Sequence, residues 1–241
     1  TLEDCINYAI ENNITVKRQE LSAEIAEKNY LQSKLEILPS LNARGEHYYN
    51  SGKAINYETY EYVNENFQGG NVYLTSEVNL FNGFQNLNNI KKSKLDLMAQ
   101  LERVEKAKND ITLNITTAYL QILLNKELVD NAKNQLDVTL EQVEKTKKLV
   151  EIGNAAKGDL LQIQAQAASE KAYLTNKQNN LRIAYLDLTQ LLNLESVEGF
   201  EIKFPELPDI TSEPKNNVAD VYNNALEILP EIKSAELQVK S

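Results

Sequence analysis

Acid–base, nucleophilic and metal chemistry each require particular side chains at workable spacing, and this sequence holds few of them. His47 is the one histidine and Cys5 the one cysteine among 241 residues, so neither a His-rich nor a Cys/His metal site can be assembled and no intrachain disulfide can close. A Ser/His/Asp arrangement would have to use His47, which stands beside Tyr48 and Tyr49 in a period-2 stretch and is more simply a packing residue. Cys5 falls on the apolar side of a short amphipathic segment, where a small core residue is the plainer reading. Carboxylate pairs such as Glu102 with Glu105 belong to solvated helical faces and give no sign of an acid/base dyad. The sequence predicts no enzyme, no cofactor and no metal.

Charge and hydropathy narrow the partners. Twenty-five Lys and Arg against 35 Asp and Glu give a net charge of -10, which repels a phosphate backbone and excludes nucleic acid as the expected partner. Mean hydropathy is -0.46, and no stretch approaches the roughly 18 to 20 apolar residues of a membrane-spanning helix. A membrane β-strand escapes that test, because it needs only about 9 to 11 residues and alternates in polarity. Residues 1–11 carry Glu3 and Asp4 and no basic segment followed by an apolar one, the pattern of a chain whose signal peptide is absent or already removed.

The elements that must position any site are marked by breakers. Neither Gly nor Pro occurs between Gly83 and Gly153, so residues 88–152 read as one helix of about 98 Å. Leu97, Leu101, Val104, Ile111, Ile115, Ala118, Ile122, Val129, Ala132, Leu136, Val143 and Val150 alternate in steps of four and three, interrupted in that register by Lys108, Asn125, Thr139 and Thr146. This is a heptad seam. Gly153 and Gly158 mark a turn, after which Asp159 is the expected N-cap of a second helix over 159–193 with Gln162 as capping-box partner. Leu160, Ala167, Leu174, Leu181 and Leu188 recur every seven residues in it. The two helices should form a long antiparallel hairpin.

Upstream, residues 1–12 read as a short helix and 14–38 as a second, ending before Pro39. Downstream, Gly199, Pro205, Pro208 and Pro214 make 195–217 an irregular linker, with one short strand expected at 200–204. Between Ser40 and Phe81 the period falls to two. Residues 41–50 and 71–80 predict two strands of about ten residues joined by a long loop that carries Gly52, Gly69, Gly70 and the cluster Tyr57, Tyr60 and Tyr62. Two strands alone are not stable in water, so something must complete the sheet.

The chain also repeats itself. Laid over one another at an offset of 216, Asp4 and Asp220, Asn7 and Asn223, Ala9 and Ala225, Glu11 and Glu227, and Lys17 and Lys233 coincide. Lengths give a geometric check: 14–38 and 159–193 together nearly match 88–152, so the two shorter helices fit end to end beside the long one. The strand pair then lies at one end of a rod, the glycine turn at the other, and the linker partway along.

These residues resemble the TolC-like outer-membrane efflux proteins. The carrying stretches are Thr1-Leu-Glu-Asp with Ala9, Glu11 and Asn12; Ile37-Leu-Pro-Ser-Leu; Val78-Asn-Leu-Phe-Asn-Gly-Phe; Thr117-Ala-Tyr-Leu; and Gly153 followed by Asp159-Leu-Leu with Gln164-Ala-Gln. Phe84 departs from the pattern, since many members have a second glycine there. The resemblance implies a mainly α fold: half of an α-barrel/β-barrel protomer, with very long antiparallel coiled-coil helices and a two-stranded β-hairpin at one end. It divides the chain into N-terminal helices (1–38), membrane strands and outer loop (39–83), a periplasmic helical hairpin (84–194), a linker near the rod's middle (195–217) and the truncated start of a second repeat (218–241).

The function implied is a passive exit duct of a tripartite efflux or type I secretion system in the outer membrane of a Gram-negative bacterium, with a long periplasmic extension. The full-length protein is then a homotrimer, partnered by outer-membrane lipid, a periplasmic adaptor and an inner-membrane transporter. Closure of the barrel agrees with the physics of unpaired strand edges, which cannot face hydrocarbon. Gly153, Lys157, Gly158 and Asp159 are the candidates for the periplasmic tip and gate. Val72, Leu74, Val78 and Leu80 are expected to face lipid, and Arg44, Glu46, Tyr73, Glu77 and Asn79 the lumen. Tyr57, Tyr60 and Tyr62 read as an aromatic girdle, an outer loop cover or a packed soluble loop. Heptads alone would also suit a soluble coiled-coil scaffold or periplasmic adaptor, for which the period-2 region has no use.

Overall fold

A computed structural model describes residues 1–196, 198–204 and 217–241, with side chains except at 65 and 67. The element order is α1 (Leu2–Asn12), α2 (Ile14–Leu35), β1 (Ser40–Ile55), β2 (Tyr62–Glu77), α3 (Gln85–Glu151), α4 (Lys157–Leu191), α5 (Val218–Ile228) and α6 (Pro230–Lys240). The chain divides into two compact units, residues 1–23 with 99–236 and residues 24–98 with 237–241.

In the first unit, Thr1 caps α1 by accepting the Asp4 N–H at 3.3 Å and donating its hydroxyl to the Asp4 carboxylate at 2.6 Å. α1 ends where Asn13 turns extended, φ -67 and ψ 129. Asn13 then opens α2, its Oδ1 accepting from the Thr15 N–H at 2.8 Å, while its Nδ2 donates to the Leu191 carbonyl at 3.0 Å. One buried amide thus joins the last turn of α4 to the first turn of α2, which is the end-to-end arrangement that the helix lengths allowed.

α3 is uninterrupted for 67 residues. Its seam packs antiparallel on α4, since Ile111, Ile115, Tyr119 and Ile122 share a core with Ala184, Leu188 and Leu192, while farther along Gln135 donates to Glu170 at 3.4 Å. Cys5, Ala9 and Val16 complete this core. The polar residues that interrupt the apolar seam stay in its register: Asn125 and Thr139 are buried, and Thr139 is only 1% exposed. Leu101, counted in the seam, is exposed. Val104, Ile111, Asn125, Ala132 and Thr139, all buried, keep the sevenfold spacing along this stretch.

The strand expected at 200–204 is absent. Among the described residues no strand pairs with it, and the segment instead serves as a strap on the bundle. Ile202 enters the core, the Phe200 ring meets Tyr185 edge-on at 6.4 Å, and the Tyr119 hydroxyl donates to the Lys203 carbonyl. Pro205, Pro208 and Pro214 lie outside the described residues.

The repeat is visible in the backbone. α5 begins and ends 216 residues after α1, and α6 begins 216 after α2. Leu229 copies the extended bend of Asn13, with φ -65 and ψ 123, and its N–H bonds to the Ala225 carbonyl at 3.0 Å as that of Asn13 does to Ala9 at 2.8 Å. The apolar positions Leu2, Cys5, Ile6, Ala9 and Ile10 of α1 pack in the core. Their counterparts in α5 include Val218, Val221, Tyr222 and Leu226, all exposed.

In the second unit, β1 and β2 pair antiparallel from Ser40↔Glu77 to Ile55↔Tyr62. Each strand has 16 residues instead of about ten, and the connection shrinks from a long loop to residues 56–61. The glycines read as loop markers lie inside the ladder, and the Tyr48 ring lies over Gly69 and fills its missing side chain. α2 stops at Leu35, short of the expected 38, with a 2.9 Å turn bond from the Leu38 N–H to the Leu35 carbonyl. Pro39 lacks the N–H that would extend the ladder past Ser40.

Candidate functional site

The register decides which strand residues share a face, because directly paired residues point the same way. Arg44 pairs with Tyr73, Asn42 with Thr75 and Ser40 with Glu77. Arg44 and Glu46, two apart on the same face, form a 2.5 Å ion pair. The expected lumen residues Arg44, Glu46, Tyr73 and Glu77 therefore lie on one polar face, where Asn42, Arg44, Glu46, Tyr73 and Thr75 line a shallow depression. On the opposite face Ala43 pairs with Leu74, Gly45 with Val72 and Leu41 with Ser76. Val72 is 88% exposed there, and Leu41 and Leu74 are exposed beside it.

Three of the strand assignments do not fall in a strand. β2 ends at Glu77, so Val78, Asn79 and Leu80 lie in the irregular exit toward α3, although Leu80 remains 91% exposed. The cause is their partner side: beyond Ser40 comes Pro39, and the ladder has nowhere to continue. At the other end the apolar face is interrupted between Tyr49 and Ile55. Ser51 pairs with Asn66 and Lys53 with Asn64 in the same alternation, and the Ser51 hydroxyl bonds Asn66 Oδ1 at 2.7 Å. Tyr57 and Tyr60 project from the hairpin turn and Tyr62 opens β2, all three exposed. His47 stands opposite Gly70 on the apolar face.

At the far turn, Gly153 takes φ +77, with its N–H to the Val150 carbonyl at 3.0 Å and that of Asn154 to Leu149 at 2.8 Å, a Schellman cap on α3. α4 then starts at Lys157, two residues earlier than expected, so Lys157 and Gly158 lie in its first turn. Asp159 is not the N-cap. That place falls to Ala156, which has no side-chain acceptor, and the Asp159 carboxylate reaches back to the Ala156 N–H at 3.3 Å. Asp159 thereby takes the reach-back role assigned to Gln162. Gly153, Lys157, Gly158 and Asp159 are thus gathered in one tip.

The seam near this tip carries a polar cluster that the sequence did not single out. Beside the buried Thr139, the hydroxyl of that residue and the amides of Gln166 and Gln135 hold the Glu170 carboxyl below its ordinary range. The Gln166 amide donates to Glu170 Oε1 at 3.0 Å. Elsewhere, burial pushes the Cys5 thiol up, away from a reactive thiolate. Glu105 pairs with Lys108 at 2.9 Å on an exposed helix face. Among the described residues no cluster of His, Cys, Asp and Glu could hold a metal ion, and no helix is long and apolar enough to cross a membrane.

The family described as outer membrane efflux protein matches residues 5–194. None of the curated proteins matches the chain. The outer-membrane channel OprN shares its fold with TM-score 0.76 at 19% identity, over 98% of this chain and 52% of its own. The CmeC outer membrane channel of Campylobacter jejuni gives 0.71 at 18% over 99% and 50%, and the open state of the Neisseria gonorrhoeae MtrE channel 0.68 at 20% over 99% and 52%. The chain spans about half the length of each. With its family match covering most of its length and this shared fold, the chain belongs to the outer membrane efflux protein family and has the architecture of half a TolC-like protomer.

Proposed function

We propose that this chain is the first repeat, with the start of the second, of an outer-membrane channel that serves as a passive exit duct in tripartite efflux or type I secretion. The observation that carries the reading is the hairpin: one polar and one apolar face, both exposed, with nothing covering the apolar one in the described chain. Such a ribbon is stable only when further strands close it and lipid covers its apolar side. On this reading Val72 and Leu74 face lipid and Arg44, Glu46, Tyr73 and Glu77 face the lumen. The exposed apolar face of α5 supports a second bundle built like the first. The full-length protein is then a trimer in the outer membrane of a Gram-negative bacterium, its helices reaching into the periplasm to meet an adaptor and an inner-membrane transporter. Transport in such a duct is not enzymatic, and the helical tip around Gly153 and Asp159 is its regulated opening.

Planar-bilayer recording tests the proposal. The full-length trimer should give steady conductance steps, and the 241-residue chain, with one strand pair, none. A monomeric, non-conducting full-length protein would overturn the channel and leave a helical scaffold; steady steps from the short chain would overturn the need for the second repeat.

A further inference from the structure

The exit from β2 into α3 is built at the cost of an unusual backbone. Gly83 and Phe84 are both left-handed, with φ +64 and +66. For glycine this is ordinary, but for a bulky residue it is an outlier that persists only when something favours it. The protein interior does not supply that reward. Phe84 is 63% exposed and meets Phe81, 75% exposed, edge-on at 5.7 Å. The two rings pack on each other and otherwise face outward, next to Leu80.

α3 continues this surface in a defined order. Leu87, Lys91, Lys94 and Met98 recur at steps of four, three and four, which places them on one helix face. All four are exposed. Residues 85–98 hold three lysines against a single aspartate, in a chain whose net charge is -10. Beginning at the strands, the order is therefore apolar face, aromatic pair, then ammonium groups. Lys91 lies seven residues past Phe84, about 10 Å along the helix, while the polar layer on each side of a bilayer is about 5 to 8 Å thick. A lysine stem lying back along the helix closes the difference.

We infer that Phe81 and Phe84 sit at the acyl–headgroup boundary of the leaflet on the helix side of the membrane, and that Lys91 and Lys94 bind the phosphates of its anionic phospholipids. The inference rests on the channel reading above and names the lipid it meets at that border. Aromatic rings favour that boundary because one side is apolar and the other wet. The lysines supply charge complementary to phosphatidylglycerol and none to phosphatidylcholine. The left-handed Phe84 turns its ring toward Phe81 where the chain leaves the strands for α3. A glycine there would ease the backbone but remove half of the aromatic pair.

The test uses the full-length trimer reconstituted in phosphatidylcholine vesicles with and without phosphatidylglycerol. The 241 residues contain no tryptophan, so Phe81→Trp adds a fluorescence increment over the unsubstituted protein. That increment should be blue-shifted, and quenched more by lipids brominated near the headgroup than by those brominated near the chain ends. Lys91→Gln/Lys94→Gln should lower the enrichment of phosphatidylglycerol around the protein by about 30-fold, taking roughly 1 kcal/mol per lysine at the surface. Lys91→Arg/Lys94→Arg should retain it. Conductance with no quenching at either depth, or with unchanged lipid enrichment in the Gln variant, would overturn this inference and leave the channel standing. Solvent-shielded rings unquenched by any lipid would assign the patch to a second helix instead. Absence of both conductance and vesicle association would overturn the channel reading itself.

Discussion

Gly69 and Gly70 are adjacent in β2, yet adding one methyl has different consequences at each. At Gly69 a Cβ would meet the far end of the Tyr48 ring at 2.5 Å, which can swing aside; at Gly70 it would meet the Glu46 carbonyl oxygen at 2.8 Å, which belongs to the ladder. Gly70→Ala should therefore lower the melting temperature of the folded protein distinctly more than Gly69→Ala, and an inverted order in thermal melts would contradict this close approach. Tyr119 makes the other residue-scale case. Its ring is buried at the centre of the bundle and its hydroxyl holds the strap at Lys203. Tyr119→Phe should cost about 0.5 to 1.5 kcal/mol in urea unfolding, with faster hydrogen exchange confined to residues 198–204. Uniformly faster exchange would show instead that the hydroxyl supports the whole bundle.

At the scale of the element, the α3–α4 pair changes character along its length. Toward the strap it is closed by Ile115, Ile122 and Leu188; toward the tip it passes through Thr139 and Glu170. Glu170 titrates below its ordinary value near 4.5 in the folded chain. Its stabilisation is therefore fully present above that value and is lost as pH falls through the lower, folded one. Thermal melts between pH 7 and pH 3 should show a decline in that window which Glu170→Gln removes; parallel curves for the two proteins would refute the coupling. The tip has its own test. Asp159→Ala frees the Ala156 N–H and removes a negative charge from the first turn of α4, a loss of about 0.5 to 1 kcal/mol. If the carboxylate also holds the proposed entrance shut, Asp159→Ala and Asp159→Asn should both raise the conductance of the full-length trimer. Lower stability with unchanged conductance would leave capping as its whole role.

At the scale of the molecule, the repeat makes the sharpest demand. α1 buries Cys5 and Ala9 against α3 and α4, whereas α5 presents the same positions, Val221 and Ala225, with no buried residue along its length. In the proposed two-repeat protein a second pair of long helices covers that face. Amide exchange across Val218–Ile228 should then be fast in the 241-residue chain and slowed by orders of magnitude in the full-length protein, while exchange in α1 is slow in both. Equally fast exchange of α5 in the full-length protein would mean that the second repeat packs differently from the first.

What the sequence determined by itself was everything written in local chemistry. The breaker-free run between Gly83 and Gly153 is α3, the sevenfold leucines are α4, and the alternations begun at Leu41 and at Asn71 lie in the two strands of the hairpin, since helix and strand periods are properties of neighbouring residues. The matching of residues 1–13 to 217–229 was equally legible. Tertiary structure alone decided where these patterns stop and which exceptions are tolerated. Glycines in β2 became ladder positions because Tyr48 lies across one of them; residues 200–204 became a strap because Tyr119 offered a hydroxyl; Asn125 and Thr139 were buried because a helix packed over them. Helix 4 began at Lys157, and Asp159 closed its first turn from inside, because chain geometry chose Ala156 for the cap. Each of these outcomes depends on a partner distant in sequence or on the path of the backbone, and such a partner leaves no period of its own in the residues it meets.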